Sequence, residues 1–495
     1  MTPTRRNLCM GAAAFSAAPS AVLAASRVLT PDKTRAAQAI AAAADWSLAT
    51  EDVEGDIAPR ALRLVHGRTP EGLSGSLYRN GPAKFRRPGG SAGHWFDGDG
   101  LIRRWRIADG QASLAARFAD TPKRRQESEA GAMLTPGFGT AADPRARIGS
   151  ADDASPANTS IHKVGGRLWA LWEAGSPLAM DPETLETQGF VTLRPDLKAM
   201  PFLAHPRIEP DGRIWNLGVN GRQAMVWRLA ADGGLEDAEV IALPRASYIH
   251  DFSATARHLV IVLQPWVHAR QIAPLAAGFD WTPEAGTQVL VVDKADLTQR
   301  RLYELPPFGF FHVGDAWEEA GGAIRFDLCA HKDMTFAARG AGQILSGLPM
   351  NHQPAELAMV VLSPDGRGRL ERTGVTAEFP RSDPRRAGRT RRFSLHTTGE
   401  RVDRPLASAV AVTDWSSGRT RSFDFGPGHV ADEMVYVPRS GGAHEADGWL
   451  IGPTINLRAG VSELHVLDLL HIEDGPVATW RADVALPASF HGNWA

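Results

Sequence analysis

Four of the sixteen histidines in the chain sit in contexts dense enough to suggest chemistry. His205 lies in "PFLAHPRIEPDGRIW", His250 in "SYIHDFSAT", His312 in "FGFFHVGDAWEE" and His491 in the terminal "SFHGNWA". Each is flanked by apolar or small residues, so burial is expected. Imidazole is the commonest protein ligand for transition metals. A single buried histidine, however, is more often a satisfied core group than a ligand. The separations of 45, 62 and 179 residues match no local motif. Any shared site must therefore be assembled by the fold. His66, His258, His268, His396 and His444 sit among charged or turn residues and read as surface groups.

Three glutamates are less conspicuous. Glu173 in "ALWEAG", Glu378 in "AEFPR" and Glu433 in "DEMVYVP" read by themselves as edge or surface carboxylates. A glutamate inside an apolar strand such as "ALWEAG" does need a partner if it is buried. Other candidate motifs reduce to turns. Asp97 to Gly100 in "FDGDG" and Asn80 to Pro82 in "NGP" carry turn chemistry. No helix with a Lys-Ser/Thr pair follows them, as a phosphate loop would require. The acids of "SGGAHEADG" lack the full pattern of a calcium loop.

Those residues need elements to hold them. Short apolar runs such as "GGRLWALWEAG", "DGRIWNLGVNG", "RHLVIVLQPW", "TQVLVVDK", "LAMVVLSPDG" and "SELHVLDLLHI" recur along the chain, broken by Gly, Pro, Asp and Asn. Helical periodicity is scarce after residue 50. The pattern predicts many strands joined by tight turns. "GGRLWAL" resembles "DGRIWNL", and "VLVVDKADL" resembles "LHVLDLLHI". Weak likeness spread over the whole length points to radial repetition, a β-propeller with long insertions. In a propeller every blade starts at the axis, so distant segments can meet there.

Composition fits a globular protein: 495 residues, 43% hydrophobic, 22% charged, formal net charge −2. The only sizeable basic run, Arg385 to Arg392, reads as a solvated loop, so no nucleic-acid partner is expected. At the N-terminus, Arg5 and Arg6 precede an apolar stretch that ends in small residues near Ala24. This predicts a twin-arginine export signal over residues 1–25 and a periplasmic location. Removing it takes Cys9 and leaves Cys329 alone, with no internal disulfide to form. Residues 26–50 read as a helical arm or linker, and 51–495 as one domain.

The ordered motifs carry a more specific message. "GSLYRNGPAKF", "HWFDGDGLIRRWRI", "NTSIHKVGGRLWALWEAGSP", "FLAHPRIEPDG", "YIHDFSAT", "FDWTPEAGTQVLVV", "FFHVGDAWEE", "EFPR", "EMVYVPRSGGAHEADGWL" and "FHGNW" occur in sequence between Gly72 and Ala495. As an ordered set they resemble the carotenoid cleavage oxygenase family, to which bacterial apocarotenoid and stilbene cleavage enzymes belong.

The resemblance implies an all-β, seven-bladed propeller with long loops and short helices capping a metal site. It implies one Fe(2+) per chain on His205, His250, His312 and His491, with Glu173, Glu378 and Glu433 behind them. No catalytic side chain beyond the iron site is expected, and no other cofactor. The implied reaction cleaves a carbon–carbon double bond of a carotenoid or apocarotenoid with O2 into aldehyde or ketone products. The alternative substrate is a lignin-derived stilbene. Stilbene cleavers in the family activate a phenol through a tyrosine and a lysine. Neither is placed here among Tyr78, Tyr248, Tyr303, Tyr436 and a stretch without lysine between Lys123 and Lys163. An apolar substrate suggests an apolar tunnel and a peripheral membrane contact, with Ala132 to Gly139 and Pro274 to Trp281 as candidate surfaces. Asp315 replaces the family's more common asparagine and is expected to add charge near the metal.

Overall fold

A computed structural model describes residues 45–348 and 353–495. Most of its strands form seven antiparallel sheets of four to six strands each, arranged as the blades of a propeller, with two two-stranded ribbons beside them. In chain order the blades run from the sheet of Gly75–Lys84 (blade 1) through those of Arg167–Leu171, Ile214–Asn220, His258–Leu263, Ile324–His331 and Phe393–Thr398 to that of Gly448–Asn456 (blade 7). The expected export signal and most of the expected arm lie outside the described residues. Of the arm, Ser47–Thr50 forms a 3-10 turn, and the buried Trp46 beside it donates its indole N–H to the Ile344 carbonyl at 3.1 Å.

Strand sequence follows strand position. The middle strands His258–Leu263 and Glu356–Leu362 are almost wholly apolar with nearly every residue buried, and Thr287–Asp293 is apolar and buried from Val289 to Val292. Each is covered on both faces by neighbouring blades, which removes the polar alternation of a half-exposed strand. The outer strands Arg300–Leu305, Gly368–Thr376 and Arg419–Asp424 are mostly exposed or half-buried. The cores accordingly lie between blades. Val260, Val289, Phe310, Phe326 and Val360, for example, pack blade 4 against blade 5. Each such side chain contributes about 1.5–3 kcal/mol of burial.

Two terminal strands close the ring. Arg63–Gly67 pairs with Pro476–Arg481 at the outer edge of blade 7. His491–Trp494 pairs with Gly75–Lys84 in blade 1, placing His491 opposite Asn80. Gly492 permits the closure, because a Cβ there would stand 2.2 Å from the Tyr78 carbonyl oxygen. The edge strands meet across blades. Ser253–Ala254 touches Gly309–Glu318, which touches Glu378–Arg381, and His491–Trp494 touches Ser160–Val164. They enclose the axis.

Insertions gather as a cap over one end. They include the helix Pro122–Ala130, whose N-cap is the Thr121 hydroxyl, the helix Ala341–Leu345, and the 3-10 turns Trp95–Asp97 and Leu275–Gly278. Two of the histidines read as surface groups are instead buried. His258 is bound to Glu318 at 2.8 Å, and His396 lies between the Thr397 carbonyl and the Thr413 hydroxyl. The basic run is partly internal as well, since the buried Arg391 pairs with Asp327. No helix among the described residues is long and apolar enough to cross a membrane.

Candidate metal centre

The four histidines converge at the axis from four blades. His205 precedes the strand Arg207–Ile208 of blade 3, and Pro206 after it favours an extended backbone. His250 lies just before Ser253–Ala254 of blade 4. His312 projects from Gly309–Glu318 of blade 5, where irregular register on both sides of Val313 re-aims the strand. His491 opens the last strand, and its backbone N–H reaches the Thr159 carbonyl of the next blade.

One carboxylate ties three of these segments together. Asp251 accepts from the Arg207 guanidinium at 2.5 Å and from the Val313 backbone N–H at 2.9 Å. The residues after His205, His250 and His312 are thereby locked to one another. Asp315 belongs to this lower layer. It accepts from the Ser382 hydroxyl and lies 3.6 Å from Arg207, the guanidinium it shares with Asp251.

The ring nitrogens of His205, His250, His312 and His491 all lie within 4.8 Å of one another. Nε2 of His205 is 3.0 Å from Nε2 of His250, and Nε2 of His312 is 3.1 Å from Nε2 of His491. The opposite nitrogens are occupied. Nδ1 of His312 donates to Glu378 at 2.6 Å, Nδ1 of His491 donates to Glu433 at 3.0 Å, and Nδ1 of His250 donates to Glu173. This fixes the tautomers of those three rings, so their Nε2 lone pairs point inward, with Nε2 of His205 beside that of His250. Converging lone pairs repel unless a cation lies among them. The donor set therefore fits a transition metal held by four imidazoles, three of them oriented by a carboxylate.

Electrostatics lower the basicity of two of these rings. Burial, followed by repulsion from the other three rings, holds His205 well below the usual imidazole range. Burial takes His491 down to about 3 against the pull of Glu433. At His250 burial also lowers basicity, but Glu173 outweighs it and the ring is raised. Burial alone would raise Glu433, yet Arg381, His491 and Arg79 together hold it well below the usual carboxylate range.

The expected glutamates are thus the three partners of the rings. Their own partners were not legible beforehand. Tyr248 donates its hydroxyl to both oxygens of Glu173, at 3.0 and 3.1 Å. His331 donates Nε2–H to Glu378 at 2.8 Å. Glu433 takes Arg381 at 2.7 Å, the Gly492 N–H at 2.9 Å, and Arg79. Tyr248 carried a usable signal: two residues before His250, it shares a face with it in extended chain. His331 and Arg79 carried none.

Above the histidines lies a cavity of about 1010 Å³, with His250, His312 and His491 in its wall. Phe96, Phe138, Tyr248, Phe279, Phe311 and Phe336 supply much of the remainder. These rings pack edge to face, as in Phe96–Phe311 at 5.6 Å and Tyr248–Phe279 at 5.6 Å. Ala132 to Gly139, expected as a candidate membrane surface, is mostly buried, and Phe138 is part of this aromatic wall. The second candidate, Pro274 to Trp281, is largely half-buried at the cavity edge. Ile272 beside it is 48% exposed.

Comparison with known proteins gives the same answer. The family model described as retinal pigment epithelial membrane protein matches residues 50–495. The apocarotenoid-15,15'-oxygenase of Synechocystis is 30% identical, over 91% of this chain and 94% of that protein. The lignostilbene-alpha,beta-dioxygenase isozyme III of Sphingomonas paucimobilis is 29% identical, over 90% and 94%. Cobalt-substituted Synechocystis apocarotenoid oxygenase superposes with a TM-score of 0.83 at 25% identity, over 91% and 98%. The histidine cluster, the propeller that assembles it and this full-length likeness make the chain a member of the retinal pigment epithelial membrane protein family of carotenoid oxygenases.

Proposed function

We propose that the protein is a non-haem Fe(II) dioxygenase that cleaves a carbon–carbon double bond of a carotenoid or apocarotenoid into two carbonyl products. The observation that carries this reading is the set of four facing imidazole nitrogens in the wall of a large aromatic cavity. His205, His250, His312 and His491 would hold the iron, which supplies the activation of dioxygen beside the alkene. Two oxygen atoms and one double bond account for both carbonyls, so no side chain need transfer a proton. The chain's part is positional. Glu173, Glu378 and Glu433 keep the Nδ1 protons in place, Tyr248 fixes Glu173, and the phenylalanines orient a flat conjugated chain and exclude water.

The polyene is favoured over a stilbene by the state of the two groups best suited to a phenol. Lys123 reaches the cavity wall, but its ammonium is held by Asp99 at 3.0 Å and Glu127 at 2.9 Å. The Tyr248 hydroxyl is taken by Glu173. The test is metal analysis followed by a panel of apocarotenals, carotenes and hydroxystilbenes in air, with products read by mass spectrometry. About one iron per chain and paired carbonyl products from polyenes are expected. Cleavage of hydroxystilbenes alone would transfer the assignment to them, and absence of any bound metal would overturn it.

Export and membrane contact belong to the same reading. The exported chain would begin after Ala24 or Ala25, and the rim around Ile272 would touch lipid. The mature protein is expected to float with anionic vesicles, and Ile272→Glu to reduce the floated fraction severalfold. Recovery of the wild type wholly in the unbound fraction would remove the contact.

A further inference from the structure

The cavity wall carries several carboxylates, and the protein accounts for nearly all of them. Asp97 accepts the Phe138 N–H at 2.6 Å, Asp143 accepts Arg145, and Asp432 accepts the Ser489 N–H at 2.9 Å. Glu173 and Glu378 are taken up by the rings behind the metal site. Glu400 is the exception. It lines the same cavity, half-buried, and no hydrogen bond or ion pair to it is found among the described residues. An apolar cavity that keeps a carboxyl without a protein partner has a polar point reserved for something else.

The backbone fixes where this side chain leaves the wall. Glu378 pairs with Thr397 in blade 6, so Glu400, three residues farther on, leaves the blade at the end where Glu378 stands. Gly399 turns the chain with φ +88°, and a Cβ there would meet the Ser408 hydroxyl at 2.8 Å. Arg401 and Arg404 then close a tight turn through reciprocal backbone hydrogen bonds of 2.8 and 3.0 Å, braced by Arg401 on Asp403. The chain returns as Pro405, Leu406 and Ala407, which line the cavity too. The backbone on both sides of Glu400 is thus defined, so its side chain enters the cavity from one fixed point of the wall.

We propose that Glu400 is a specificity-determining residue of this cavity and binds a hydroxyl group carried by the conjugated alkene. This rests on the proposed function above. Burial, and then the nearby Glu378 carboxylate, push the Glu400 carboxyl up to about 8. A protonated carboxyl donates and accepts, and a carboxylate only accepts. A hydroxyl, which can also do both, satisfies Glu400 in either state. An aldehyde or ketone oxygen satisfies only the protonated one. The hydroxyl has two sources, an alcohol on the end group of a polyene or a phenol on a stilbene.

The test uses the iron-loaded full chain without oxygen, so that tryptophan quenching reads binding free of turnover. Two matched pairs are compared: a ring-hydroxylated apocarotenal with its deoxy analogue, and 4-hydroxystilbene with stilbene. The wild type is expected to prefer the hydroxylated member of at least one pair about tenfold or more. The pair that shows the preference identifies the source. Glu400→Leu should bring that ratio to within about twofold by weakening only the hydroxylated ligand, while Glu400→Gln keeps most of it. Glu400→Ala gives the same comparison should the leucine variant lose iron. A ratio that survives in Glu400→Leu, or a loss shared equally by both members, would overturn the role of Glu400 and leave the oxygenase reading intact. A wild type that binds no conjugated alkene would defeat both.

Discussion

His491→Ala should lower metal affinity by at least about 100-fold and abolish product formation, yet leave the metal-free protein nearly as stable as the wild type. The affinity estimate starts from the 10- to 100-fold cost of losing an outer partner of a ligand, which removal of a ligand itself should exceed. Stability should hold for a different reason. The closing strand is joined to blade 1 through backbone pairing from Leu77↔Trp494 to Asn80↔His491, and alanine retains all of it. Glu433 keeps Arg381 and the Gly492 N–H when the imidazole is gone. Elemental analysis and denaturant unfolding with and without a chelator separate the two effects. A chain ended at Phe490 provides the contrast, since it loses the ligand and the pairing and should be destabilised even without metal. Full iron occupancy in His491→Ala would remove the tail from the metal site.

Glu433→Ala should be the most damaging single change at the site, costing about 3–5 kcal/mol of stability in addition to metal binding. Glu433 is 1% exposed and faces the wholly buried Arg79 as well as Arg381. Removing the carboxylate leaves the Arg79 guanidinium buried without its ion-pair partner and with only the Asp432 carboxylate near enough to oppose its charge, a larger penalty than the loss of a hydrogen bond. His491 also loses the acceptor that orients it. Glu433→Gln keeps the shape and one acceptor, so it should fall between alanine and wild type in both measurements. Glu173→Gln, whose carboxylate serves only His250 and Tyr248 without a buried cation, should affect metal binding with far less effect on stability. Equal destabilisation by the Glu433 and Glu173 changes would show that the arginine pairing is not the cause.

The sequence indicated the β class, because the apolar runs are short and the turn residues between them frequent. It singled out the four histidines through their apolar flanks, and the ordered motifs linked them to one family. It misjudged residues whose environment is set by distant chain. His258 and His396 look exposed among polar neighbours and are buried because Glu318 and Thr413 come to meet them. Asp315 looks aimed at the metal and is engaged instead by the Ser382 hydroxyl and, at 3.6 Å, by Arg207. "AMLTPGFG" reads equally as a lipid-facing patch or a covered loop, and Pro136, Gly137 and Phe138 place it in the cavity wall.

The sequence by itself determined which side chains were available to the site: imidazoles flanked by apolar residues, glutamates in need of partners, and aromatic residues enough to line a cavity. Only the tertiary structure decided that they meet. Convergence depends on the closing of the ring, which brings the last strand beside the first blade and sets His491 against His312 at 3.1 Å. The same closure fixes which carboxylate serves which ring and leaves Glu400 without a partner among the described residues. Local sequence fixes local conformation through propensity and pattern. Distances between blades follow from packing all seven around one axis, and that depends on the whole chain at once.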